Sequence, residues 1–121
     1  MGHFPAGASV KSFVHYGQIV KTGEFKMYDY GSEKANFEQY HQDTPPMIDL
    51  TKITEVPTAM FVGTVDDLGD VTDCQWARDQ IKSAGDALIH YEEIPAGHSS
   101  FMVAKDMSYV DTLIKLLDTY S

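Results

Sequence analysis

Cysteine occurs once, at Cys74. No disulfide can form within the chain, and Cys74 reads as a small apolar residue on a helix. Basic residues are scarce: nine Lys+Arg stand against eighteen Asp+Glu, a net charge of −9. Binding to nucleic acid needs basic patches, and so does attraction to an anionic membrane; neither partner is expected. No apolar run approaches the roughly 18 residues of a transmembrane segment. The start, Met1-Gly2-His3-Phe4-Pro5-Ala6-Gly7, has no basic lead and no apolar stretch, so it does not read as a signal peptide. The one asparagine, Asn36, is followed by Phe37-Glu38, which is not a glycosylation acceptor. No H-E-x-x-H and no Cys/His cluster marks a metal site, and no cofactor is expected.

What is present suffices for a core. Of 121 residues, 43% are apolar and 12% aromatic, which argues against disorder and for one domain at most. Residues 8 to 22 read as a helix that Ser9 starts and Gly23 ends. Val10, Phe13, Val14 and Gly17 form its expected buried face. Residues 24 to 50 are aromatic and turn-rich, an ordered excursion with no regular period. Thr58-Ala59-Met60-Phe61-Val62, between Pro57 and Gly63, has the pattern of a strand buried on both faces. Thr72-Asp73-Cys74-Gln75 matches a capping box. Cys74, Ala77, Ile81 and Ala84 then make an apolar stripe that Gly85 stops. Ala87 to Ile94 is the next strand. A final helix is expected from Phe101 to about Asp118, with Val103, Met107, Val110, Ile114 and Leu117 on one stripe. Strand, helix, strand, helix after residue 57 predicts a right-handed parallel crossover and an α/β class.

In such a sheet functional groups gather at the carboxyl ends of the strands. The first strand leads into an acidic loop, Gly63-Thr64-Val65-Asp66-Asp67-Leu68-Gly69-Asp70. The second leads into Pro95-Ala96-Gly97-His98-Ser99-Ser100-Phe101. Asp66 lies three residues past Gly63 and His98 four past Ile94, so both loops open on one edge. On neighbouring strands, roughly 5 Å apart, the two side chains can meet. The imidazole would serve as general base toward a serine and the carboxylate would fix its tautomer. Asp66, Asp67 and Asp70 are all available, although Asp70 and Asp73 also suit a helix start. His3, His15, His41 and His90 have no ligand spacing, and His90 reads as structural within its strand.

Acid after one strand and histidine after the next is the closing order of an α/β-hydrolase. The nucleophile elbow G-x-S-x-G is not in this sequence. Gly97-His98-Ser99-Ser100-Phe101 starts like one, but Phe101 stands where a small residue is needed. The segment also follows the last strand, so Ser99 is not expected to be a nucleophile. A complete fold of this kind needs roughly twice this length, because each parallel strand requires a crossover. The expectation is therefore the carboxyl-terminal part of an α/β-hydrolase fold, its last parallel strands and helices, preceded by part of a helical cap.

The stretch Pro5-Ala6-Gly7-Ala8-Ser9-Val10, then Tyr28-Asp29-Tyr30-Gly31-Ser32, then Tyr40 through Pro45-Pro46, resembles the acid lipases, the gastric, lingual and lysosomal family. Their pattern reads P-A-G-T-S-V, Y-D-W/Y-G and Y-x-Q-x-x-P-P. The resemblance covers nearly the whole chain. It implies Ser-His-Asp cleavage of triacylglycerol and cholesteryl esters, an α/β-hydrolase core and a helical cap. Asp66 matches the family's catalytic aspartate by position and His98 its catalytic histidine. Residues 1–50 would end the cap and 51–121 the core. The partners implied are a lipid ester and the rest of the core with its serine, and the implied location is secreted or lysosomal. The chain alone is expected to be inactive. The acid loop and the histidine loop depart from the family pattern. Val71 replaces the proline of G-x-x-D-x-L-x-D-P, and Gly97-His98-Ser99-Ser100-Phe101 replaces N-H-x-D-F, so the acid after the histidine is lost. A second reading is a non-catalytic binding or assembly subunit that keeps the hydrolase scaffold. The aromatics Phe4, Phe13, Tyr16, Phe25, Tyr28, Tyr30 and Tyr40 would either tie the excursion down as a small core or line an acyl-chain channel.

Overall fold

The computed structural model describes residues 7–120. His3, Phe4 and the Pro5-Ala6 half of the first motif lie outside the described residues. The chain divides into two compact units, one ending at Asp49 and one beginning at Leu50.

In the first unit, α1 spans Val10–Thr22 and α2 spans Glu33–Tyr40. Gly23 ends α1 in the left-handed region, at φ 68°, and its N–H donates to the Ile19 carbonyl, a conformation that glycine adopts without penalty. Ser9 stands at the start as expected, but its side chain makes no cap bond. The face of α1 is reversed from the expectation. Val10 is 77% exposed and Phe13 69%, while His15, Gln18 and Ile19 are the partly covered positions. The reason lies in what the following segment offers, which is polar. His15 Nε2 contacts the Lys26 carbonyl at 2.7 Å. Gln18 donates to the Asp29 carbonyl and accepts from the Asp29 N–H. Lys11 donates to the Tyr30 hydroxyl and lies over the Tyr28 and Tyr30 rings.

Residues 24–49 carry more order than their sequence suggests. Ser32 caps α2 by accepting from the Ala35 N–H. Lys26 and Met47 form an isolated antiparallel bridge. Asn36, on α2, is the buried polar residue at the centre. Its Oδ1 accepts from the Tyr30 N–H, and its Nδ2 donates to Asp29 Oδ1 and the Asp43 carbonyl. The Tyr40 hydroxyl donates to the Tyr28 carbonyl, and Tyr28, Tyr30 and Tyr40 meet ring to ring. These tyrosines are a tie within the segment, whereas Phe13 and Tyr16 are exposed.

The second unit opens with a 3₁₀ turn, Leu50–Lys52, followed by β1 (Thr58–Gly63), α3 (Val71–Ala84) and β2 (Leu88–Ile94). The strands pair in parallel, with Ala59 opposite His90 and Gly63 opposite Ile94, after one irregularity at Thr58/Ala59. Val62, Ile81 and Ala87 are the buried apolar residues. The covered stripe of α3, Cys74, Ala77, Ile81 and Ala84, matches its 3.6-residue period. β1 was expected to be buried on both faces, yet only Val62 and Gly63 are buried; in a two-stranded sheet each strand is an edge. The capping box also differs. Asp70 is the N-cap of α3, its carboxylate accepting from the Thr72 N–H at 2.7 Å. Gln75 instead reaches across to Glu93.

The final helix is two helices, α4 (Ser100–Val103) and α5 (Tyr109–Tyr120). Ala104 leaves α4 in extended backbone, and Asp106 accepts from the Ser108 N–H to start the next turn. That break changes the phase of the stripe. Tyr109, Val110, Thr112, Leu113 and Leu116 are the partly covered residues of α5, and Ile114 and Leu117 are exposed. Among the described residues no helix is long and apolar enough to cross a membrane.

Candidate active site

The two loops that leave the carboxyl ends of β1 and β2 run side by side. Backbone bonds continue the pairing past the strands: Thr64 N–H donates to the Ile94 carbonyl at 2.8 Å and Val65 N–H to the Ala96 carbonyl at 3.3 Å. Gly63 makes this approach possible. A Cβ at this position would lie 2.3 Å from the Ala96 carbonyl oxygen, inside any tolerable contact.

Asp66 occupies the first loop. Its Oδ1 accepts from the Leu68 and Gly69 N–H groups, both at 2.8 Å, a side-chain turn of the Asx type. Its Oδ2 faces His98 Nδ1 at 3.1 Å. The Asp66 side chain is 7% exposed and that of His98 64%. The Gly69 amide, then the Leu68 amide and the His98 ring, hold the Asp66 carboxyl below the usual carboxylate range. An ionised carboxylate only accepts hydrogen bonds, so the proton in the contact belongs to His98 Nδ1. That leaves the lone pair on Nε2, which has no hydrogen-bond partner among the described residues. A ring in this state can take a proton at Nε2 and share the resulting charge with Asp66.

The other candidates take different places. Asp70 caps α3, and the Thr72 contacts lower its carboxyl's affinity for protons. Asp67 is exposed and does not meet His98. His15 contacts a backbone carbonyl. His41 ends α2 at φ 57°. His90 lies in β2 with Nε2 at 3.1 Å from Glu92, its ring 5.1 Å from that of Phe61. Ser99 has ordinary right-handed helical backbone, φ −77° and ψ −11°, not the strained turn of a nucleophile elbow. Cys74 is half-buried under the acid loop; its thiol donates weakly to the Gly69 carbonyl, and burial raises its pKa. Among the described residues no three His, Cys, Asp or Glu side chains converge as a metal site.

Two supports of the pair escaped sequence reasoning. One is the Leu68-Gly69 amide turn, whose only signal is an aspartate just before those residues. The other is an aromatic brace beneath the histidine loop. The Tyr109 ring packs on Phe61 and Phe101, at 5.7 and 5.5 Å between centroids, and its hydroxyl donates to the Phe101 carbonyl.

No protein-family model matches the sequence. Individual proteins do. The tear acid lipase-like protein of Mesocricetus auratus is 37% identical, over 96% of this chain and 28% of its own length. Lipase member K of Homo sapiens is 35% identical, over 99% of this chain and 30% of its own length. The putative lysosomal acid lipase/cholesteryl ester hydrolase of Crotalus adamanteus is 40% identical, over 77% of this chain and 22% of its own length. The chain thus spans less than a third of each of these relatives, and it is homologous to the acid lipases over that partial region of their length.

Proposed function

We propose that this chain supplies the acid and the base, Asp66 and His98, of a serine ester hydrolase that acts on lipid carboxylic esters. Residues 1–50 would belong to the end of its cap and 51–121 to the carboxyl-terminal part of its core. The serine would come from sequence outside these 121 residues. What carries the reading is the 3.1 Å contact between Asp66 Oδ2 and His98 Nδ1, at the carboxyl ends of adjacent parallel strands. The names of the relatives, a gastric triacylglycerol lipase and a putative cholesteryl ester hydrolase among them, support the substrate class.

The step is acyl transfer. His98 Nε2 accepts the serine proton as the hydroxyl attacks the ester carbonyl. Asp66 stabilises the imidazolium that forms, and the ring returns the proton to the departing alcohol. Water then repeats the cycle on the acyl-enzyme. No metal or cofactor enters.

The test is steady-state turnover of a lipid ester by a longer protein that contains this region and its serine. Asp66→Asn should lower kcat on the order of 10⁴-fold, because Oδ1 keeps its two amides while an –NH₂ now faces His98 Nδ1. His98→Ala should cost at least as much, and Asp67→Asn far less. Equal sensitivity at Asp67, or none at Asp66, would overturn the assignment. The 121-residue chain by itself should turn over no short-chain ester, since its sequence carries no G-x-S-x-G elbow to supply the nucleophile. Turnover that Ser99→Ala abolishes would make Ser99 the nucleophile instead.

A further inference from the structure

The family pattern places an acid two residues after the histidine, and this chain has Ser100 there. The structure gives that serine a defined task. Its Oγ accepts from the Gly97 N–H at 3.1 Å. Its own N–H donates to the Gly97 carbonyl at 3.0 Å. The two bonds run in opposite directions and enclose His98 and Ser99. One half of a capping box has this form, a side chain reaching back three residues to a backbone amide.

His98 has little else to aim it. Its side chain is 64% exposed, and Asp66 is its hydrogen-bond partner. Ser99 makes no side-chain cap bond. The direction in which the ring leaves the backbone therefore depends on the loop, which the closed Gly97–Ser100 turn holds at one end and the Tyr109 bond to the Phe101 carbonyl at the other. Gly97 is itself held close to the acid loop: a Cβ there would lie 3.4 Å from the Val65 carbonyl oxygen. A loop fixed at Gly97 on one side and at Ser100 on the other can present Nδ1 to Asp66 only while the turn stays closed.

We infer that Ser100 is a positioning residue: through Gly97 it holds His98 in register with Asp66. The inference rests on the reading of Asp66 and His98 as acid and base. Without the Oγ, the half-buried Gly97 N–H loses its acceptor, the turn keeps only the Ser100 N–H to Gly97 carbonyl bond, and the ring is held less firmly on the carboxylate.

The tautomer of His98 reads this directly. The full chain, labelled with ¹⁵N-histidine, is examined by long-range ¹H–¹⁵N correlation at about pH 8, where an ordinary imidazole is neutral. The unaltered chain should hold its proton on Nδ1. Asp66→Asn should move it to Nε2. Ser100→Ala should lower the Nδ1–H to Nε2–H ratio on the order of tenfold, the worth of one strong hydrogen bond. Ser100→Thr, which keeps a hydroxyl, should restore it. If Ser100→Ala leaves the ratio unchanged while Asp66→Asn inverts it, Ser100 has no positioning role and the acid–base pair stands. If the unaltered chain lacks Nδ1–H, or Asp66→Asn changes nothing, the pair itself fails and the inference with it. Loss of the whole amide spectrum in Ser100→Ala, or failure of Ser100→Thr to restore the ratio in a folded chain, would make Ser100 a residue of general stability and overturn the proposal.

Discussion

Asp66 divides its two oxygens between two tasks, Oδ1 shaping its own loop through Leu68 and Gly69 and Oδ2 meeting His98. All three contacts favour the ionised carboxylate, so its pKa is lower folded than unfolded. The stabilisation that follows is complete above the unfolded carboxylate value of about 4 and is lost as pH falls through the lower folded value. Asp66→Asn abolishes this titration. Urea midpoints of the unaltered chain and of Asp66→Asn should therefore converge as pH falls from about 6 to about 3. A gap that stays constant across that range means no shift is present. That Asp66 and His98 come within reach is legible in the sequence, because consecutive parallel strands send both loops to one edge. The division of labour between the oxygens is not legible, since it depends on backbone amides that no side-chain pattern encodes. Nor does any motif announce the Gly97–Ser100 turn, which looks like a damaged family signature until the bonds are seen.

At the scale of elements, the approach of the two loops hangs on Gly63. Ala96 is held by its own backbone bonds, its N–H donating to the Ile94 carbonyl and its carbonyl accepting from the Val65 N–H, so that carbonyl cannot yield to a side chain 2.3 Å away. Gly63→Ala should cost about 1–3 kcal/mol, as for overpacking in general, and part Asp66 from His98. Chemical denaturation gives the first effect, and loss of the Nδ1–H signal of His98 the second. Unchanged stability would mean that the loops separate without resistance. The strands, α3 and the glycine ends of α1 and α3 follow from apolar runs and terminators, signals that are local and strong. Other features needed information from further away. The break between α4 and α5 carries no Gly or Pro, only Asp106 capping a new turn. α2 has almost no apolar stripe to betray it and exists because Ser32 caps it and Asn36 binds three neighbours. The reversed face of α1 misleads because a 3.6-residue stripe marks an amphipathic surface without saying which side its nearest neighbour takes.

The two units of the molecule are held together internally by different forces. From Leu50 onward the interior is apolar, built on Val62, Ile81 and Ala87. Up to Asp49 the one buried residue among those described is polar, Asn36, and the segment is tied by carbonyls, amides and tyrosine hydroxyls. Burial of this kind has a thermal signature. Exposing apolar surface raises the heat capacity on unfolding and exposing polar surface lowers it, and ordinary domains gain about 12–15 cal/mol/K per residue. The unit that ends at Asp49 should gain less than about half of that. Their unfolding enthalpy should then barely change with temperature, and their stability should decline almost linearly on warming with no maximum near room temperature. Amide signals of Tyr30 and Asn36, followed against temperature, report this unit, and Trp76 reports the other. Curvature as steep at Asn36 as at Trp76 would show that hidden apolar burial, not hydrogen bonding, orders the first unit. With shallow curvature, cooling would strengthen the hydrogen-bonded unit while it weakened the apolar one, and the same chain would answer cold in two opposite ways.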